Sequence, residues 1–100
     1  MMTMRHYYLV CYDITDEKRL RRVHRAMLCY GDPLQYSVFR CMLSQKEKAL
    51  MVAHLSELIH PRQDRLLIIN LGPPGEKLSE RIEFVGAPLS DPGVPGAVVV

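Results

Sequence analysis

The 100-residue chain has no tryptophan and only two phenylalanines, and the aromatic pattern of an RNA-recognition motif is absent. Its three cysteines, Cys11, Cys29 and Cys41, form no CxxC pair, and an odd number makes a poor disulfide framework. Each sits among apolar neighbours, so small buried thiols in a reducing compartment are expected. The four histidines, His6, His24, His54 and His60, show no metal-ligand spacing and are given no role. No glycine-rich phosphate loop and no Ser/His/Asp constellation is present. No run approaches the ~20 apolar residues of a membrane span, and the N-terminus lacks the apolar core of a signal peptide. A cytoplasmic protein that does not enter a membrane is expected. A net charge of +2 is too small to mark a nucleic-acid binder by itself.

What the sequence does have is a concentration of that charge. Lys18, Arg19, Arg21, Arg22 and Arg25 place five of the thirteen basic residues within eight positions. They follow the apolar run Tyr7–Tyr12, which is aromatic, β-branched and apolar on both faces, as a central strand should be. The run ends on a carboxylate, Asp13. Thr15 or Asp16 can cap a helix over Glu17–Tyr30, whose apolar face is Leu20, Val23, Met27 and Tyr30. Gly31 is expected to end it.

Pro33–Leu43 reads as one long bent strand or as two short ones with a bulge near Phe39, since no turn dipeptide divides it. Ser44-Gln45-Lys46-Glu47 is a capping box that opens a second helix, with Met51, Leu55, Leu58 and Ile59 as its buried stripe and Pro61 as its stop. Leu66–Leu71 predicts a buried strand. A breaker loop from Gly72 to Glu80 follows, and then an alternating edge strand over Arg81–Val85. The expected fold is α+β: a ferredoxin-like βαββαβ sandwich with an additional C-terminal strand. The expected domain is 1–86. Residues 87–100 form a Pro/Gly-rich tail whose end, Ala97–Val100, could add a strand to a partner chain. A chain this short buries only about 60–70% of its unfolded surface, so help from a second copy is in keeping with its size.

Two features carry chemistry. Asp13 could hold a hard divalent ion, which supplies both an activated water and charge compensation for phosphodiester hydrolysis. It could equally accept backbone N–H groups at the turn. Two copies of Asp13 across a twofold axis could share one ion. Lys18, Arg21, Arg22 and Arg25 recur at helical spacing and form a basic stripe, suited to phosphates of duplex DNA or simply to solvent.

Tyr12-Asp13-Ile14-Thr15-Asp16 together with Gln35-Tyr36-Ser37-Val38-Phe39 resembles the CRISPR-associated protein 2 family over roughly the first two-thirds of the chain. The resemblance implies a ferredoxin-like homodimer that bridges dimers of the CRISPR-associated protein 1 integrase during spacer acquisition and holds prespacer DNA. It also implies an Mg²⁺-dependent endonuclease site acting on RNA or DNA, with Asp13 as metal ligand and Tyr12, Arg22 and Phe39 at associated positions. Lys18, Arg19, Arg21, Arg22, Arg25 and Arg40 are the expected nucleic-acid contacts. Pro33 and Arg40 depart from the family pattern, Pro33 where a basic residue is frequent and Arg40 where an acidic or neutral one is common. A toxin-type endoribonuclease of the same fold and a non-catalytic scaffold are the other readings.

Overall fold

Alternation in the first strand decides the architecture. β1 (Arg5–Asp13) buries Tyr8, Val10 and Tyr12 and turns Tyr7, Leu9, Cys11 and Asp13 to the other side, because successive strand side chains point to opposite faces. The computed structural model describes residues 4–75 and 78–87. After β1 come α1 (Glu17–Met27), β2 (Gly31–Gln35), β3 (Val38–Ser44), α2 (Gln45–Leu58) and β4 (Arg65–Gly72). The sheet is antiparallel in the order β2-β3-β1-β4, with β1 central as its two apolar faces predict. This is the ferredoxin-like arrangement.

One face of the sheet carries the core. Tyr8, Val10, Tyr12, Phe39, Cys41 and Leu43 meet Val23, Ala26 and Met27 of α1 and Met51 and Leu55 of α2. Both helices start from side-chain caps. Asp16 accepts from the Arg19 N–H at 2.9 Å, and Ser44 and Glu47 close the reciprocal box at 3.1 and 2.8 Å. The other face has no helix. Leu9, Cys11 and Val38 lie on it half-buried, and Met42, Leu67 and Ile69 are 40%, 54% and 41% exposed. That is an apolar strip that none of the described helices covers.

Several expectations are corrected. Helix α1 stops at Met27 and is capped at Leu28, so Gly31 is not its terminator. Gly31 instead opens β2, where a Cβ would collide with the Arg40 carbonyl oxygen. The glycine is there because β2 and β3 touch backbone to backbone. Pro33–Leu43 is two strands joined through Tyr36 and Ser37, and the register shift falls between Pro33 and Gln35, where Pro33 faces Phe39, so the irregularity lies beside Phe39 as one of the two readings has it. A turn without Gly or Asn escaped the pattern. Among the described residues β4 is an edge strand open on one face, not a buried one, although its run is apolar except for Asn70.

The expected strand at Arg81–Val85 is not formed. Ser79–Arg81 is a 3₁₀ turn, and Phe84 and Val85 are 63% and 99% exposed. Alternation alone cannot make a strand without a neighbour to complete its hydrogen bonds. Of the cysteines, Cys41 is buried, Cys11 half-buried on the open face and Cys29 exposed. Burial pushes the Cys41 thiol up to about 11. The Ala97–Val100 end lies outside the described residues. No described helix is long and apolar enough to cross a membrane.

Candidate metal and phosphate site

The pleat separates Tyr12 from Asp13. Tyr12 points into the core and Asp13 points out, exposed, at the last position of β1. Among the described residues Asp13 has no hydrogen-bond partner, and neither has Glu17, the exposed first residue of α1. Asp16 is engaged as the α1 cap. Asp64, just ahead of β4, is taken up in a cluster of its own.

That cluster pins the turn that follows Asp13. The buried Asp64 carboxylate accepts from the Thr15 N–H at 3.0 Å, the His60 N–H at 2.7 Å and Arg19 Nε at 2.7 Å. The Thr15 hydroxyl adds a bond at 3.3 Å. The Arg19 guanidinium, followed by these backbone donors, holds the Asp64 carboxyl well below the usual carboxylate range. The turn therefore has a fixed shape two residues from Asp13. Arg19 was expected among the nucleic-acid contacts, but its side chain is folded onto Asp64 and Gln63. Its role here is to tie α1 to the start of β4.

Behind Asp13 lies a second cluster. The Tyr12 hydroxyl donates to the Tyr36 carbonyl at 2.6 Å, and His24 Nδ1 lies 3.0 Å from both that carbonyl and the hydroxyl. The His24 ring stacks on Tyr36 at 4.2 Å and packs edge-to-face with Phe39 at 5.4 Å. Burial pushes the Tyr12 hydroxyl above its ordinary range, which keeps it a neutral donor. Phe39 is wholly buried. Tyr12 and Phe39 therefore back the strand that carries Asp13, from the opposite side of the sheet, and do not line an open site. His24 Nε2 is buried with no partner among the described residues.

Lys18, Arg21, Arg22 and Arg25 are exposed along α1, and none forms an ion pair with a described residue. Arg22 stands on this stripe, on the helix and not in the sheet with Asp13. Arg40 is on the open apolar face, 3.8 Å from Asp32 and 6.0 Å from the Tyr7 ring centroid. It is set apart from the α1 stripe.

Sequence reasoning missed Asp64 and His24. His24 could have been found, because it lies four residues after Leu20 and three before Met27, on the apolar side of α1. Asp64 gave no periodic signal, since Thr15 and Arg19 lie 49 and 45 positions away and only the His60 N–H is near it in sequence.

Mg²⁺ commonly takes one or two carboxylates and keeps several waters. Among the described residues no group of three or more His, Cys, Asp or Glu could enclose an ion. One chain thus offers Asp13 as a single exposed oxygen ligand. That fits a hydrated ion held at a surface or shared between copies, and does not fit a closed cage.

Comparison with known proteins agrees with this fold. The family model described as CRISPR associated protein Cas2 matches residues 4–77. The chain is similar to the CRISPR-associated endoribonuclease Cas2 of Geobacter sulfurreducens, 36% identical over 97% of this chain and 100% of the relative. It is 52% identical to a second such protein, from Thermodesulfovibrio yellowstonii, over 68% of this chain and 75% of that one. The crystal structure of Streptococcus pyogenes Cas2 at pH 6.5 superposes with a TM-score of 0.71 at 30% identity, covering 80% of this chain and 99% of that one.

Proposed function

We propose, from the premise that this chain belongs to the CRISPR-associated protein Cas2 family, that two copies pair and place their Asp13 carboxylates around one Mg²⁺ to hydrolyse phosphodiester bonds. The single observation that carries this reading is Asp13 itself. It is an exposed carboxylate at the end of a strand, with no hydrogen-bond partner among the described residues, beside a turn held rigid by Asp64. When bound, the ion would supply an activated water and charge compensation at the phosphoryl oxygens. Asp13 would hold it, and Asp64 and Arg19 would fix the loop that aims it. Tyr12, Phe39 and His24 would keep β1 in place from behind.

Pairing is supported by the uncovered strip of Leu9, Cys11, Val38, Met42, Leu67 and Ile69. An apolar face of this kind on a small domain favours a second copy. In the cytoplasm such a pair would serve the CRISPR adaptation complex, bridging dimers of the CRISPR-associated protein 1 integrase. Membership of the family supports that role.

Asp13→Ala tests the catalytic half. Mg²⁺-dependent cleavage of RNA or DNA oligonucleotides is expected to fall by about 100-fold or more, with the sedimentation behaviour unchanged. Ion-dependent cleavage that survives in this variant would sink the assignment. Spacer insertion that survives with the integrase, while cleavage is lost, would make the pair a bridge whose cutting is dispensable.

Lys18, Arg21, Arg22 and Arg25 are proposed to hold the backbone of duplex DNA, without reading its sequence. Raising salt from about 50 to about 200 mM should weaken binding roughly 100-fold, as expected for about four phosphate contacts. A variant with all four changed to Gln should lose most of that slope in a fluorescence-anisotropy titration. A flat salt response in the wild type would refute the stripe's role.

A further inference from the structure

We propose that Arg65, the first residue of β4, grips the substrate phosphate next to the ion that Asp13 holds. The proposal rests on the reading of Asp13 given above. Asp13 and Arg65 are direct partners in the β1–β4 ladder, and directly opposed residues share a face, with Cβ atoms about 5 Å apart. Both are exposed. Yet no ion pair closes between them, although Arg19 with Asp64 and Arg5 with Glu47 do close.

Among the described residues the Arg65 guanidinium has no hydrogen-bond or ion-pair partner. The next residues inward on the same face are Cys11 and Leu67, which offer it no charge. The carboxylate beside it in sequence, Asp64, is buried and spoken for by Arg19. A planar guanidinium has five donors in a fork that matches two phosphate oxygens. A phosphodiester placed between an Asp13-bound cation and Arg65 would be contacted by positive charge from both sides.

The arrangement has a consequence for linkage. A bare cation at Asp13 is repelled by Arg65, and a phosphate that bridges them removes the repulsion. Ion and oligonucleotide should therefore strengthen each other's binding, by the same factor in both directions.

The test uses the full chain, Ca²⁺ as an ion that occupies the site, and a short labelled oligoribonucleotide followed by anisotropy. Arg65→Gln is expected to weaken Ca²⁺-dependent binding about tenfold, the usual size of a lost charged hydrogen bond. Arg65→Lys should recover part of it. In calorimetry without oligonucleotide, Ca²⁺ should bind Arg65→Gln as tightly as the wild type or more so. A merely structural cross-strand charge would not produce that split.

Equal oligonucleotide affinity for wild type and Arg65→Gln in Ca²⁺ overturns the proposal, as does wild-type binding that ignores Ca²⁺. If Asp13→Asn abolishes the Ca²⁺ dependence while Arg65→Gln leaves it intact, the Asp13 reading stands and Arg65 falls. If Arg65→Gln loses affinity while Asp13→Asn keeps the Ca²⁺ dependence, the Asp13 reading fails and Arg65 stands as a phosphate contact.

Discussion

Asp64→Ala should cost about 3 kcal/mol of folding stability, since a buried carboxylate that leaves its partners behind exposes unpaired charge and unpaired N–H groups to a dry environment. The Thr15 and His60 amides and the Arg19 guanidinium all lose their acceptor at once. Urea denaturation at fixed chain concentration measures the loss. Asp64→Asn keeps one acceptor oxygen and should fall in between.

The pH dependence has a definite sign. The folded-state pKa of Asp64 is depressed, so its contribution is fully present above the unfolded value of about 3.9. It is lost as pH falls through that value toward the folded one. Urea midpoints should therefore drop between about pH 5 and pH 2 more steeply in the wild type than in Asp64→Asn. Parallel profiles would show that Asp64 is not the group responsible. Because Asp64 also holds the turn after Asp13, the Ala variant should lose ion-dependent activity at temperatures where it is still folded.

Phe39→Ala should be as damaging, for a different reason. The side chain is wholly buried between the Tyr12 and His24 rings, and emptying such a site costs about 3–5 kcal/mol. Phe39→Leu, which keeps most of the volume, should cost clearly less. The contest between a core residue and a base-stacking residue is decided by comparing two measurements. A core residue loses stability first, and its nucleic-acid affinity, measured well below the melting point, changes little. A stacking residue would lose affinity at unchanged stability, and that outcome would contradict the packing described for Phe39.

Both residues bear on how much the chain discloses before it is folded. The two helices and their caps were legible because their signals are local: Ser44 and Glu47 are three residues apart, and so are Asp16 and Arg19. The central place of β1 followed from a run that is apolar on both faces, and Asp13 stood out as the carboxylate at its end. What escaped was non-local. Arg19 looked like one more member of a basic stripe, because its partner lies 45 positions later. Gly31 looked like a helix terminator, because the carbonyl of Arg40 that crowds it belongs to another strand. Leu66–Leu71 read as buried because hydrophobicity reports what a segment prefers and not whether this chain supplies the cover. Phe84 and Val85 misled in the same way, as part of an alternating segment with no strand alongside among the described residues.

The pleat of β1 sorts mutational consequences by parity. Changes at the even positions Tyr8, Val10 and Tyr12 act on whether the molecule exists, and those at Tyr7, Leu9, Cys11 and Asp13 on what it meets. Inserting one residue into this strand would swap the two sets wholesale, thrusting tyrosines into water and a carboxylate into oil. Drift in this segment is therefore confined to replacement, and length is the property it cannot vary.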